Sequence, residues 1–141
     1  MDMSNIADDS METITSLCAL EHFGLGRYGD PIDYLGWKKS LHEIKRKLKV
    51  GGTFYLSVPV GKTEKLVFNA HRIFYPMTII NELVPELELS EFSFVENWKI
   101  NTFFKGGGNL AAFEKLVANH FTSEYVTGLF AFKKVIAPRF D

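Results

Sequence analysis

Glu21 and His22 sit side by side at the end of the run "SLCALEH", and the loop that follows carries three glycines together with Arg27, Tyr28 and Asp30. A carboxylate next to an imidazole can orient a substrate hydroxyl or take its proton as a general base. The structural alternative has Glu21 hydrogen-bonding loop backbone while His22 packs on it. Arg27 presents a planar fork suited to an anionic or sugar substrate; the alternative is an Arg27–Asp30 pair that stiffens a turn. Tyr28 completes a polar trio with these two. Glycine loops are costly to order, and loops at strand ends commonly carry ligands. A second group, Asn69, His71 and Arg72, follows the next strand and is expected to face the same cleft. Glu21, His22 and His71 lack a metal-ligand spacing and a cysteine partner, so no metal is expected. Cys18 reads as a small core residue in mid-strand. His42 falls on a helix and His120 in a late loop, neither with a partner nearby in sequence.

The elements that must position these groups follow from period and punctuation. Residues 1–11 are polar and read as a loop. Glu12–Leu20 is a short apolar run with β-branched residues, which suits a strand buried on both faces of a parallel sheet. From Tyr34 to Lys49 the period changes: Trp37, Leu41, Ile44 and Leu48 line one helical face. Asp33 is the expected N-cap and Gly51–Gly52 the expected stop. Lys45, Arg46, Lys47 and Lys49 read as a solvated helix end that complements the helix dipole. Thr53–Pro59 is the next strand, making a βαβ unit with parallel strands and a right-handed crossover. A helix is expected from about Pro76. Leu87–Trp98 alternates like a half-exposed strand, Phe92 and Phe94 against Ser93 and Val95. Lys105–Asn109 is a turn, and Leu110–Asn119 a short helix with Leu110, Phe113, Leu116 and Val117 inward. Tyr125–Val135 is a last strand, with Pro138 closing the chain.

Composition narrows the function classes. Of 141 residues, 46% are hydrophobic and 23% charged, with a net charge of −1. That is the profile of one folded domain over residues 1–141, without the basic surface that nucleic acid requires. The single cysteine excludes an intramolecular disulfide framework and fits a reducing cytoplasm. There is no leader pattern and no apolar run that spans a bilayer, so a cytoplasmic chain with no membrane partner is expected. "GLGRYG" at Gly24–Gly29 has the wrong spacing for a dinucleotide fingerprint and is rejected as a phosphate cradle.

The order of elements, with "LCALEH" and "LKVGG" at Leu48–Gly52, resembles the C-terminal half of a class I S-adenosylmethionine-dependent methyltransferase. Val50 stands where that family usually has proline. A closer similarity is to an uncharacterised subfamily with phrases like "LGRYGDP", "VPVG" and "VFNAHR", here Leu25–Pro31, Val58–Gly61 and Val67–Arg72. The resemblance implies an α/β fold with a partial Rossmann-like sheet: a parallel βαβ core, a C-terminal antiparallel strand, and no counterpart of the family's first three strands. It also implies roles. Asp2, Met3, Ser16, Leu17, Ala19 and Leu20 match cofactor-side positions, with S-adenosylmethionine as the cofactor. Glu21 and His22 become catalytic candidates, and Arg27, Tyr28, Asp30, Asn69, His71 and Arg72 substrate-binding ones, for a saccharide-like acceptor. The family's glycine-rich turn and the acid ending its second strand are missing from this sequence. The expected function is therefore an acceptor-side half that is inactive alone. The alternatives are a non-catalytic oligomerisation or regulatory module, or a truncated reading frame. An open sheet edge calls for a second copy or a partner polypeptide to cover it, and Phe103, Phe104, Phe130 and Phe132 are candidates for that contact.

Overall fold

A computed structural model describes residues 2–106 and 110–136. In chain order the elements are β1 (Met11–Leu17), a 3-10 turn at Leu20–His22, α1 (Gly36–Lys47), β2 (Leu48–Gly61), β3 (Lys65–Val67), β4 (His71–Ile73), α2 (Pro76–Leu83), β5 (Leu87–Glu96), β6 (Lys99–Lys105), α3 (Leu110–His120) and β7 (Tyr125–Lys134). Five strands form one sheet in the order β1-β2-β7-β5-β6, and β3 and β4 form a separate small hairpin. The β1–β2 pair is parallel, with Thr15 opposite Tyr55, as a βαβ unit demands. β7 then runs antiparallel between β2 and β5.

α1 exists because its apolar residues share one face. Trp37, Leu41 and Ile44 are buried against the sheet together with Leu48, each burial contributing about 1.5–3 kcal/mol. α2 adds Ile79, Ile80 and Leu83, and α3 adds Phe113 and Val117, to the same core cluster. That cluster takes Phe54, Leu56 and Val58 from β2 and Phe130 and Phe132 from β7, alternate residues that all point to one side. All three helices thus cover one sheet face. The opposite face presents Thr15, Leu17 and Tyr55 to solvent, with Leu129 and Ala131 half-buried beside them.

Several expectations are corrected. No residue of β1 is fully buried, because β1 is an edge strand with β2 as its one neighbour among the described residues. Cys18 lies beyond that strand, exposed and with φ +47°, and is no core residue. α1 starts after Leu35, without a side-chain cap; Asp33 instead accepts the Leu35 N–H at 3.1 Å and pairs with Lys39. The helix ends at Leu48, already extended, and Lys49–Gly52 bulge out of register before β2 resumes opposite Thr13. The basic run is not simply solvated: Lys47 is buried and donates to Ile6 O and Asp8, fastening the N-terminal loop.

β5 ends at Glu96, and Ser93 is buried beside Phe92 and Phe94 because β6 pairs along it. Asn97 and Trp98, both with positive φ, make the two-residue turn into β6, a strand the sequence reading did not contain. His120 closes α3 with its ring against Phe103, so it is no loop residue. Phe130 and Phe132 are deep in the core, while Phe103 and Phe104 pack against it from β6, the sheet's other edge strand. The glycine turn Lys105–Asn109, the Leu116 side chain and Pro138 fall wholly or partly outside the described residues.

Candidate functional site

The carboxyl end of β1 delivers the chain into the 3-10 turn at Leu20–His22, where open α/β sheets place ligands. Leu20 drops into the core and fixes the turn, so Glu21 and His22 cannot swing freely. Glu21 is only 3% exposed. Its Oε2 has no hydrogen-bond partner, and burial, the leading cause, raises its carboxyl above the ordinary glutamate range. His22 Nε2 lies 3.6 Å from Glu21 Oε1. On the far side of the ring, Nδ1 is 2.5 Å from the Ala70 carbonyl. A carbonyl only accepts, so Nδ1 carries a proton and the neutral ring keeps its lone pair on Nε2.

The glycine loop is shaped by Asp30, not by an Arg27–Asp30 pair. Asp30 accepts the Gly24 N–H at 2.9 Å and the Tyr28 N–H at 3.2 Å. Burial works against its charge, yet these backbone donors hold its carboxyl below the usual range. Gly24 has φ +74°, and a Cβ there would lie 1.9 Å from the Asp33 carbonyl oxygen, so no other residue fits. The loop and the turn enclose a cleft of about 460 Å³ lined by His22, Phe23, Tyr28, Asp30 and Asp33. Tyr28 stands at its mouth, edge-on to His22 at 5.7 Å, with the Arg27 guanidinium over its other side at 5.7 Å.

The second group arrives on the β3–β4 hairpin. Arg72 is buried, and its guanidinium donates to the carbonyls of Phe23 at 2.6 Å and Tyr34 at 3.3 Å. It is the strut that holds both ends of the glycine loop. His71 acts electrostatically on Glu21 and stacks obliquely on Tyr125 at 6.0 Å. Asn69 is exposed near the hairpin tip. The structure therefore brings Glu21, His22, Tyr28, Asp30, His71 and Arg72 to one place, with Arg27 and Asn69 at its margin. Sequence reasoning missed the Ala70 carbonyl, a backbone group with no side-chain signal, and Ser57, whose Oγ receives the Cys18 N–H at 3.1 Å under the strand end.

The positions matched to a cofactor behave differently. Asp2 is exposed and bonded to Ser4 N, Leu17 is 64% exposed, Met3, Ser16 and Ala19 are half-buried, and Leu20 is in the core. None of the clefts described here is lined by these six residues. Among the described residues no three His, Cys, Asp or Glu side chains gather as metal ligands would, and no helix is long and apolar enough to cross a membrane.

Comparison with known proteins adds two findings. The family described as "Caenorhabditis protein of unknown function, DUF268" matches residues 3–102. The crystal structure of the [4+2]-cyclase SpnF superposes with a TM-score of 0.56 at 13% identity, covering 93% of this chain and 53% of SpnF. The chain thus has a mixed α/β, methyltransferase-like fold and spans about half the length of that structure. No curated protein matches.

Proposed function

This chain belongs to the DUF268 family, and we propose that it supplies the acceptor-binding wall of a methyltransferase-like site, with His22 as the general base. The observation that carries this is the buried Glu21 carboxyl, its Oε2 without a hydrogen-bond partner among the described residues, beside an imidazole whose tautomer is set by backbone. A fold keeps such a costly arrangement where chemistry uses it. The acceptor hydroxyl lies in the cleft of His22, Tyr28 and Asp30. His22 Nε2 takes its proton, and Glu21 steadies the resulting imidazolium. Arg72 and Asp30 hold the backbone that keeps these groups in line.

In this reading the 141 residues supply the acceptor side and not the donor side. A complementary polypeptide pairs with the free edge of β1 and covers the bare sheet face, and S-adenosylmethionine is held only in the completed fold. The half-coverage of SpnF and the exposed edge support this reading.

Two measurements test it. Long-range nitrogen–proton spectra at neutral pH are expected to show a protonated Nδ1 and a pyridine-like Nε2 at His22; a protonated Nε2 overturns the general base. Calorimetric titration with S-adenosylmethionine is expected to give no saturable heat; micromolar binding to this chain alone overturns the missing donor side.

A further inference from the structure

A second cleft lies beside the first. Tyr34 and Trp37 at the start of α1, Leu66 on β3 and Arg72 on β4 wall a space of about 170 Å³, with Glu64 and Lys65 at its polar edge. The two clefts stand back to back across one short segment: Asp33 and Gly36 face the His22 side, Tyr34 and Trp37 the other. The floor is aromatic, Trp37 meeting Phe74 edge to face at 5.1 Å. The mouth is aromatic too, since Tyr34 is 70% exposed, and Tyr28 has the same standing over the His22 cleft. Large exposed aromatic rings flanking clefts mark binding surfaces.

The polar groups decide the class of ligand. Glu64 accepts the Tyr75 N–H through one oxygen at 3.4 Å, which leaves the other for a ligand hydroxyl. Lys65 is paired with Glu124, and the terminal nitrogens of Arg72 donate to backbone carbonyls while its Nε has no partner among the described residues. The charges around the mouth therefore balance, Glu64 and Glu124 against Lys65 and Arg72. Such a surface gives a phosphodiester or an anionic lipid no net attraction. It complements an uncharged ring with an apolar face for the tyrosine and hydroxyls for the carboxylate.

We propose that this second cleft is a subsite for one sugar ring of a glycan acceptor, whose neighbouring ring lies over Tyr28 in the His22 cleft. Its volume is below the ~300–1,000 Å³ of pockets for larger ligands, which leaves room for a single ring. The inference rests on the reading of His22 as base toward an acceptor hydroxyl, but binding can be read without transfer.

The chain has two tryptophans, so Trp98→Phe leaves Trp37 as the lone indole reporter on the cleft floor. In that background the chain is titrated with lactose, cellobiose and chitobiose. At least one disaccharide is expected to shift Trp37 emission saturably. Tyr34→Ala is expected to weaken that binding about three- to tenfold, and Glu64→Gln to weaken it as well. No saturable response to any disaccharide overturns the subsite. So does a response unaffected by Tyr34→Ala, or one seen only with oligouridylate or a polyproline peptide. Sugar binding with a protonated His22 Nε2 keeps the subsite and removes the general base; a pyridine-like Nε2 without sugar binding does the reverse.

Discussion

Glu21 binds its proton more tightly in the fold than in the unfolded chain, because burial outweighs the backbone bond and the His22 and His71 charges that favour ionisation. A carboxyl shifted this way stabilises the protein below its unfolded value near 4.5, and that stabilisation is lost as pH rises through the higher folded value. Above that range Glu21 therefore contributes less to stability than it does in acid. Glu21→Gln is expected to raise Tm at pH 8, with the gain shrinking toward pH 4. Differential scanning calorimetry across that range checks it, and a lower Tm for the variant at pH 8 contradicts the argument. This residue was visible in the sequence as a candidate, since an acid and a histidine side by side at a strand end stand out. Its burial was not, because that depends on groups distant in sequence such as Arg72, which reaches the Glu21 carbonyl at 3.5 Å from 51 residues away.

At the scale of elements, two small features hold the site in place. The first is the glycine loop. Gly24→Ala forces a side chain against the Asp33 backbone, so the loop must open while the core stays intact. Unchanged far-ultraviolet dichroism with new protease cleavage within residues 23–35 is the expected result. The second is Lys134, fully buried at the end of β7, whose Nζ donates to the carbonyls of Lys45 and Leu48 and to Asp9. It caps the end of α1 and ties that helix to the N-terminal loop. Lys134→Met leaves those acceptors unsatisfied at a cost of about 2–3 kcal/mol, which for a chain of this size lowers Tm by about 5–10 °C. Thermal melts decide between that and a silent substitution. Sequence reading saw Lys134 as an ordinary strand residue, since the carbonyls it serves lie across the molecule.

Among the described residues, the sheet has one covered face and one bare one. Leu17 and Tyr55 stand on the bare side next to the free edge of β1. Unpaired edges and apolar faces promote association. The isolated chain is expected to sediment above monomer mass, and Leu17→Lys with Tyr55→Lys to restore the monomer. A wild-type chain that stays monomeric at high concentration would count against any partner on this face. The aromatic-rich composition pointed to such a surface, with Phe103, Phe104, Phe130 and Phe132 as candidates; Phe130 and Phe132 lie in the chain's own core and Phe103 and Phe104 pack against it, while Leu17 and Tyr55 are exposed.

What the sequence determined by itself is what local spacing encodes. The face of α1, the parallel βαβ pair, the helix at Pro76 and the placement of Glu21–His22 after a strand all follow from residues within one or two turns of each other. β6 escaped because the Asn97–Trp98 turn has no glycine to mark it. The tertiary structure alone decided which groups converge. The Ala70 carbonyl sets the tautomer of His22 from 48 residues away, and Arg72 ties down a loop 49 residues before it in the chain. Periodicity reports which side of an element is apolar; it carries no term for which distant backbone atom will meet a given ring, and that meeting defines the site.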